Sequence, residues 1–327
     1  MLTFIVRRLL RMIPTLIAIS IMVFVIIQLP PGDFFDSLQA QLAQSDSQAD
    51  QEAFEALRRQ YHLDKPMWQQ YLYWISGCLR GDFGYSFEWR RPVSQLIAER
   101  LGLTFLMASG ALLFMWLVAL PIGIYSARNR YSIGDYFWTF MAFIGLCVPG
   151  FIIALIAMYI SVFWFGGSAG GLFSPEFKYA PWDWAKVWDF LMHLWVPVVV
   201  IGASGTAGLM RIMRTSMLDV LDEQYITTAR AKGLAERWVI YKYAVRVAIN
   251  PMISILGLQL PQLVSGSIIV AIVLGLPTTG PLFYRALETQ DMYLAGTCLL
   301  LLAILLLLGN LMADILLAWA DPRIRLE

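Results

Sequence analysis

The chain is poor in the residues that perform chemistry. Only two histidines, His62 and His193, and three cysteines, Cys78, Cys147 and Cys298, are spread through 327 residues. Two histidines so far apart leave no credible Ser-His-Asp or Cys-His set. Three scattered cysteines make neither a disulfide framework nor a metal cluster. Two of them fall inside apolar runs and read as small buried hydrophobes. No nucleotide-binding motif is present. The glycine-rich stretch GGSAGG (166–171) lacks the Lys-Ser/Thr that follows in a phosphate-cradling loop, so it reads as a flexible turn. Charge is scarce too, at 14% of residues, where a soluble domain carries about a quarter. The ionisable residues in or beside the apolar runs are Glu99 and Arg100 before the second, His193 at the edge of the fourth and Asp314 near the end of the sixth. All lie near segment ends, where a long or polar side chain reaches water. The charged relay that marks an ion-coupled pump is therefore missing. Any uphill movement of a solute must draw its energy from another subunit.

Apolar sequence is abundant instead: 59% of residues are hydrophobic and the mean hydropathy is +0.64. A hydrocarbon core about 30 Å thick needs about 20 apolar residues in a helix. Six segments qualify: Ile13–Leu29, Leu103–Tyr125, Phe137–Phe165, His193–Met210, Val247–Val273 and Leu294–Ala318. The fourth is the weakest, interrupted by Pro197 and rich in Gly, Ser and Thr. The first follows Arg7, Arg8 and Arg11 but runs into QLPPGD with no small-residue cleavage site, so it reads as a retained anchor. The expectation is an all-α polytopic membrane protein. Its divisions are residues 1–30 (N-terminal end and first span), 31–100 (an extracytoplasmic segment), 101–318 (a five-helix core) and 319–327 (a tail).

Lysine and arginine set the orientation. Placing the N-terminus in the cytoplasm puts 14 basic residues on 65 inner residues, against 10 on 116 outer ones. Both termini and the polar connector 211–246 are then cytoplasmic. The outer segment is long enough to fold. QADQEAFEALRRQYHL (48–63) has Phe54, Leu57 and Tyr61 at helical spacing, with Glu55 four residues before Arg59. The aromatic cluster MWQQYLYW (67–74) either packs against the ends of the spans or meets an incoming partner.

The connector is the most informative stretch. EQYITTARAKGLAERWVIYKYAVRVAINP (223–251) is a basic, glycine-punctuated island far longer than a turn between spans needs. Helical pieces at about 216–232 and after Gly233 form an elbow, with Gly233 where a helix C-cap is favoured. Trp238, Tyr241 and Val245 read as an apolar stripe, with Arg237, Lys242 and Arg246 largely off it. Composition alone allows a basic amphipathic helix on anionic lipid as readily as a protein-docking surface. Nucleic-acid binding is disfavoured because Asp219, Asp222, Glu223 and Glu236 balance the basic groups.

Exact residues shift that balance. TARAKGL (228–234), preceded by MRTSMLDVLDEQYITT and followed by NP, resembles the EAA-type coupling loop of ABC importer permeases. FIVRRLLRMIPTL, LPPGD, YHLDKPMWQQYLYWISGCLRGDFGYSF, ERLGLTFLM, VPGFIIAL and NLMADILLAWADPRIR extend the likeness, in order, over nearly the whole chain. The chain is identified as a member of the oligopeptide/dipeptide permease family, in its first-subunit form. The resemblance implies a type I importer permease of six transmembrane helices in a bacterial or archaeal inner membrane. It implies no catalysis and no bound cofactor on this chain, with ATP and Mg on partner subunits. The implied partners are a second homologous permease, one or two cytoplasmic ATP-binding subunits, a periplasmic or lipid-anchored substrate-binding protein, and membrane lipid. Carried over by position, Ala229, Arg230, Ala231, Lys232 and Gly233 form the ATPase-coupling surface within an elbow of 213–246, with Glu223, Tyr225 and Arg237 around it.

Two departures stand out. Thr227-Thr228-Ala229 replaces Glu-Ala-Ala. In SGSIIVAIVLGLPTTGPL (265–282), Ala271 stands near a usual glutamate and Pro277-Thr278-Thr279-Gly280 replaces Pro-Gly-Leu-Gly. The second departure lies at the outward end of the fifth span and leaves the cargo open between peptides, oligosaccharides and another solute. A scaffold or channel without ATPase coupling is the alternative of a different class. Ser204 and Thr206 of the fourth span, with Gln259, Gln262, Ser265 and Ser267 of the fifth, are candidate pathway residues. Hydrogen bonding between helices is the competing reading.

Overall fold

A computed structural model describes residues 2–29, 65–165 and 170–320. The amphipathic segment 48–63, most of GGSAGG and the end of the C-terminal tail lie outside the described residues. Helix α1 covers Leu2–Gln28, α2 Met67–Leu79, α3 Val93–Arg128, α4 Ile133–Cys147, α5 Gly150–Phe165 and α6 Trp184–Leu221. A short antiparallel pair, β1 (Tyr85–Ser86) with β2 (Arg91–Pro92), precedes α3. After α6 come α7 (Gln224–Ala231) and α8 (Glu236–Trp238), a π-helical turn at Val239–Ala244, and α9 (Val245–Ala248). Then α10 (Asn250–Gly266), α11 (Ile268–Val273), α12 (Thr279–Glu288) and α13 (Met292–Ala320) complete the described chain.

Five helical stretches are long and apolar enough to cross a membrane, and six crossings result if the bent pair α4–α5 counts as one. That pair corrects the reading of 137–165 as one straight span. The two helices meet at 101°, because Val148 adopts extended backbone (φ −86°, ψ 119°) ahead of Pro149. A residue before proline is pushed out of the helical region. The reverse correction applies to α6, which runs unbroken through buried Pro197; in a membrane, neighbouring groups satisfy a carbonyl that proline leaves free. At 38 residues it is about 57 Å long, so it projects well beyond the hydrocarbon. Of the cysteines, Cys298 is buried and Cys78 half-buried, but Cys147 is exposed on the isolated chain, contrary to its reading as a core residue.

The chain divides into two compact units. The first comprises 1–8, 103–277 and 305–327 and holds α4–α11, the elbow included. Its packing depends on close backbone approach: a Cβ on Gly257 of α10 would lie 2.6 Å from the Cα and N of Asn310 on α13. Arg8 pairs with Asp314 at 3.0 Å, so the acid near the end of the last span is satisfied.

The second unit comprises 9–102 and 278–304. Val93, Leu96, Ile97, Leu282, Leu294 and Cys298 form its core. The aromatic cluster on α2 splits by face. Tyr71 and Trp74 pack on Phe24 of α1, with centroids 5.5 and 5.8 Å apart, and Tyr71 Oη and Ser20 Oγ lie at 2.8 Å. Trp68, Leu72 and Tyr73 stay exposed. Fully buried Asp291 caps α13 by accepting from Leu294 N–H and also accepts from Ser86 Oγ of the hairpin.

Candidate functional site

The elbow begins where α6 ends. Asp222 closes that helix, and Glu223 is extended (φ −70°, ψ 145°) before α7 starts. The break thus falls within the piece read as 216–232, which is the end of α6 followed by a separate short helix. Two residues fasten α7 to the rest of the unit: Ile226 is fully buried and Ala229 is 6% exposed. Ala229, read as part of a partner-facing surface, therefore turns toward its own chain. Glu223, Tyr225, Arg230, Ala231, Lys232, Gly233 and Arg237 are all exposed.

The glycine turn is built as its position predicts. Gly233 sits at φ +75°; its N–H donates to Arg230 O at 2.9 Å and Leu234 N–H to Ala229 O at 3.4 Å. These paired bonds satisfy the last carbonyls of α7 in the Schellman arrangement. A Cβ at Gly233 would meet nothing within 4 Å, so only the backbone conformation demands glycine. Across the turn Arg230 makes a bidentate contact with Glu236, Nε–Oε2 3.2 Å and Nη2–Oε1 2.9 Å. The guanidinium holds the Glu236 carboxyl below the usual range. Burial, with the Glu223 charge adding to it, pushes the Tyr225 phenol up, so it stays a neutral donor. The outer face of the turn thus carries Tyr225, Ala231, Lys232 and Arg237 around an internally clamped loop.

Beyond the turn the helix continues through the π turn at 239–244. The predicted stripe Trp238, Tyr241 and Val245 is not the buried face. Val239, Ile240, Ala244 and Ala248 are buried, while Trp238 and Tyr241 are exposed.

A second feature, invisible to hydropathy, ties the elbow's root to the preceding helices. Asp135 at the start of α4 is 2% exposed and receives Arg214 of α6 in a bidentate pair, Nε–Oδ1 2.9 Å and Nη2–Oδ2 2.8 Å. Tyr131 N–H adds a third bond at 3.0 Å, and Ser132 Oγ caps α4 by accepting from Asp135 N–H. Neither residue was singled out from the sequence. The Ser-x-x-Asp spacing at 132–135 is a capping signature that marks the acid, but nothing local marks its partner 79 positions away.

The candidate pathway residues separate into two kinds. Ser204, Thr206, Ser265 and Ser267 each donate to a carbonyl three or four residues back on their own helix, the ordinary resting state of such hydroxyls. Gln259 is buried and accepts from Trp116 Nε1 at 3.1 Å, which is the interhelical bonding expected as the competing reading. Gln262 and that same Ser265, with Leu258 and Ile269, form one exposed face along α10 and α11. The structure does not gather the six residues into one site. Among the described residues no group of His, Cys, Asp or Glu is placed to hold a metal ion.

Comparison with known proteins fits a transport component. Residues 119–326 match the model for the binding-protein-dependent transport system inner membrane component, and residues 1–108 match its N-terminal companion. The chain belongs to that family. It is 37% identical, over 99% of both chains, to the oligopeptide transport system permease protein AppB of Bacillus subtilis. It is 34% identical to a putative peptide permease protein of Brucella ovis and 33% identical to the glutathione transport system permease protein GsiC of Escherichia coli, again over 99% of both chains. The chain is thus a multi-pass inner-membrane permease subunit of an ABC importer and not an enzyme. It works with ATP-binding and substrate-binding partners, and ATP hydrolysis resides on separate subunits.

Proposed function

We propose that this permease subunit forms half of the pore of a peptide importer and that the glycine turn at residues 223–237 receives the ATP-binding subunit. One observation carries the reading. The glycine turn presents Tyr225, Ala231, Lys232 and Arg237 outward, while Ile226 and Ala229 fasten the same short helix inward. A surface anchored this way moves with α6 and transmits a push on the elbow to the spans. ATP and Mg then belong to the partner alone. The lysine and arginine distribution supports a cytoplasmic elbow and cytoplasmic termini. A second, homologous permease completes the pore, and one or two kinds of ATPase subunit dock from below. A periplasmic or lipid-anchored binding protein delivers the cargo. The peptide and glutathione names of the relatives favour a peptide over an oligosaccharide. The exposed face of α10 with Gln262 and Ser265 is the best-placed candidate for the pathway.

The test is co-purification of the ATP-binding subunit with the wild-type chain and with Lys232→Glu, an exposed charge reversal with no packing role. Retention by wild type and loss in the variant supports docking at the elbow. Failure of any ATP-binding subunit to accompany the wild type refutes it.

A further inference from the structure

The first compact unit contains a second concavity unrelated to the coupling turn. It is an open groove of about 700 Å³ between α3, the elbow helix, α10 and the end of α13. Its floor is Leu112, Trp116, Ile253 and Leu256, and Leu316 and Trp319 close one side. Trp116 Nε1 is already bonded to Gln259, and Leu112, Ile253 and Leu256 beside it are apolar. Among the described residues Arg246 is the only charged one of the lining, and it sits at the elbow end, four residues before α10 begins. Among the described residues Glu236 is paired with Arg230, and Asp314 with Arg8. From Arg237 to Asn250 the chain carries Arg237, Lys242 and Arg246 and no acid. Tyr241 and Trp319, 63% and 73% exposed, flank the charged end, as aromatic residues do at a membrane interface.

A cationic mouth at the interface over an apolar trough fits an amphiphile with an anionic head. The floor residues of α3 lie about 18–24 Å from Arg128 along the helix, which is membrane depth on that side. We propose that this groove binds one anionic phospholipid of the elbow-side leaflet, with its phosphate on Arg246 and an acyl chain lying over Trp116 and Ile253.

Native mass spectrometry of the chain purified from its own membranes tests this, comparing wild type, Arg246→Gln and Ile253→Trp, each offered phosphatidylglycerol or phosphatidylcholine. The expected result is one retained phosphatidylglycerol per chain in wild type, with at least tenfold preference over phosphatidylcholine. Arg246→Gln should abolish the preference, and Ile253→Trp should expel the lipid with the guanidinium intact. Equal retention by wild type and Arg246→Gln overturns the proposal. So does a photo-crosslinker at Leu113 that captures a partner protein in place of lipid. Scoring the ATP-binding subunit in the same preparations keeps the two readings apart, since docking at Lys232 does not depend on the groove.

Discussion

Gly233 gives the sharpest test of the coupling turn, because its space and its backbone make opposite demands. A Cβ there touches nothing within 4 Å, so no side chain is excluded by packing. The φ of +75° costs an ordinary L-residue about 1–2 kcal/mol and asparagine less. If docking requires the turn preformed, that strain weakens the elbow–ATPase equilibrium by about 5–30-fold. The expected order is Gly, then Asn, then Ala, with β-branched Val worst. The assay is the affinity of the purified ATP-binding subunit for nanodisc-held transporter, with transport-stimulated ATP hydrolysis measured alongside. Hydrogen exchange at Leu234, whose N–H closes the turn on Ala229, should rise in the same order. Asn and Val variants that bind alike, or a Val variant that binds like wild type while exchange at Leu234 increases, would refute the requirement for a preformed turn.

Other expectations follow from the remaining contacts. Asp135→Ala strands Arg214 and removes the carboxylate that also accepts from Tyr131 N–H; about 3 kcal/mol of destabilisation should appear as a lower thermal midpoint in detergent, and Arg214→Lys, which keeps the charge without the bidentate fork, should lower it less. Trp116→Phe leaves the buried Gln259 carbonyl unmatched, at a cost of about 1–3 kcal/mol read from the same melting curves. Gly257→Leu forces α10 off the backbone of α13 and should abolish recovery of folded protein from membranes. The Arg230–Glu236 clamp is exposed, so Glu236→Gln should cost no more than about 1 kcal/mol at pH 7. Because the Glu236 carboxyl is held low in the fold, that contribution is present above the ordinary carboxylate pKa of about 4.3. It fades as pH falls through the lower folded value, where wild type and variant converge in elbow hydrogen exchange.

Local physics made much of this protein legible in the sequence. Apolar run lengths set the helical crossings, since a hydrocarbon core leaves the backbone little choice but helix. The glycine after TARAK marked a helix stop, because the Schellman turn needs only its own few residues and a positive φ. What sequence order hid is whatever depends on partners distant along the chain or on helical phase. The Asp135–Arg214 pair joins helices 79 residues apart, and no periodicity connects them. Val239, Ile240 and Ala244 are buried while Trp238 and Tyr241 are exposed, a choice of face that an apolar stripe in the sequence does not carry. Ala229 faces inward because Ile226 three residues earlier is fully buried on the same side of α7. The bend at Pro149 and its absence at Pro197 show the same division. Val148 leaves the helical region ahead of Pro149 and the chain bends, whereas α6 runs on through Pro197, so the presence of proline alone did not tell the two sites apart.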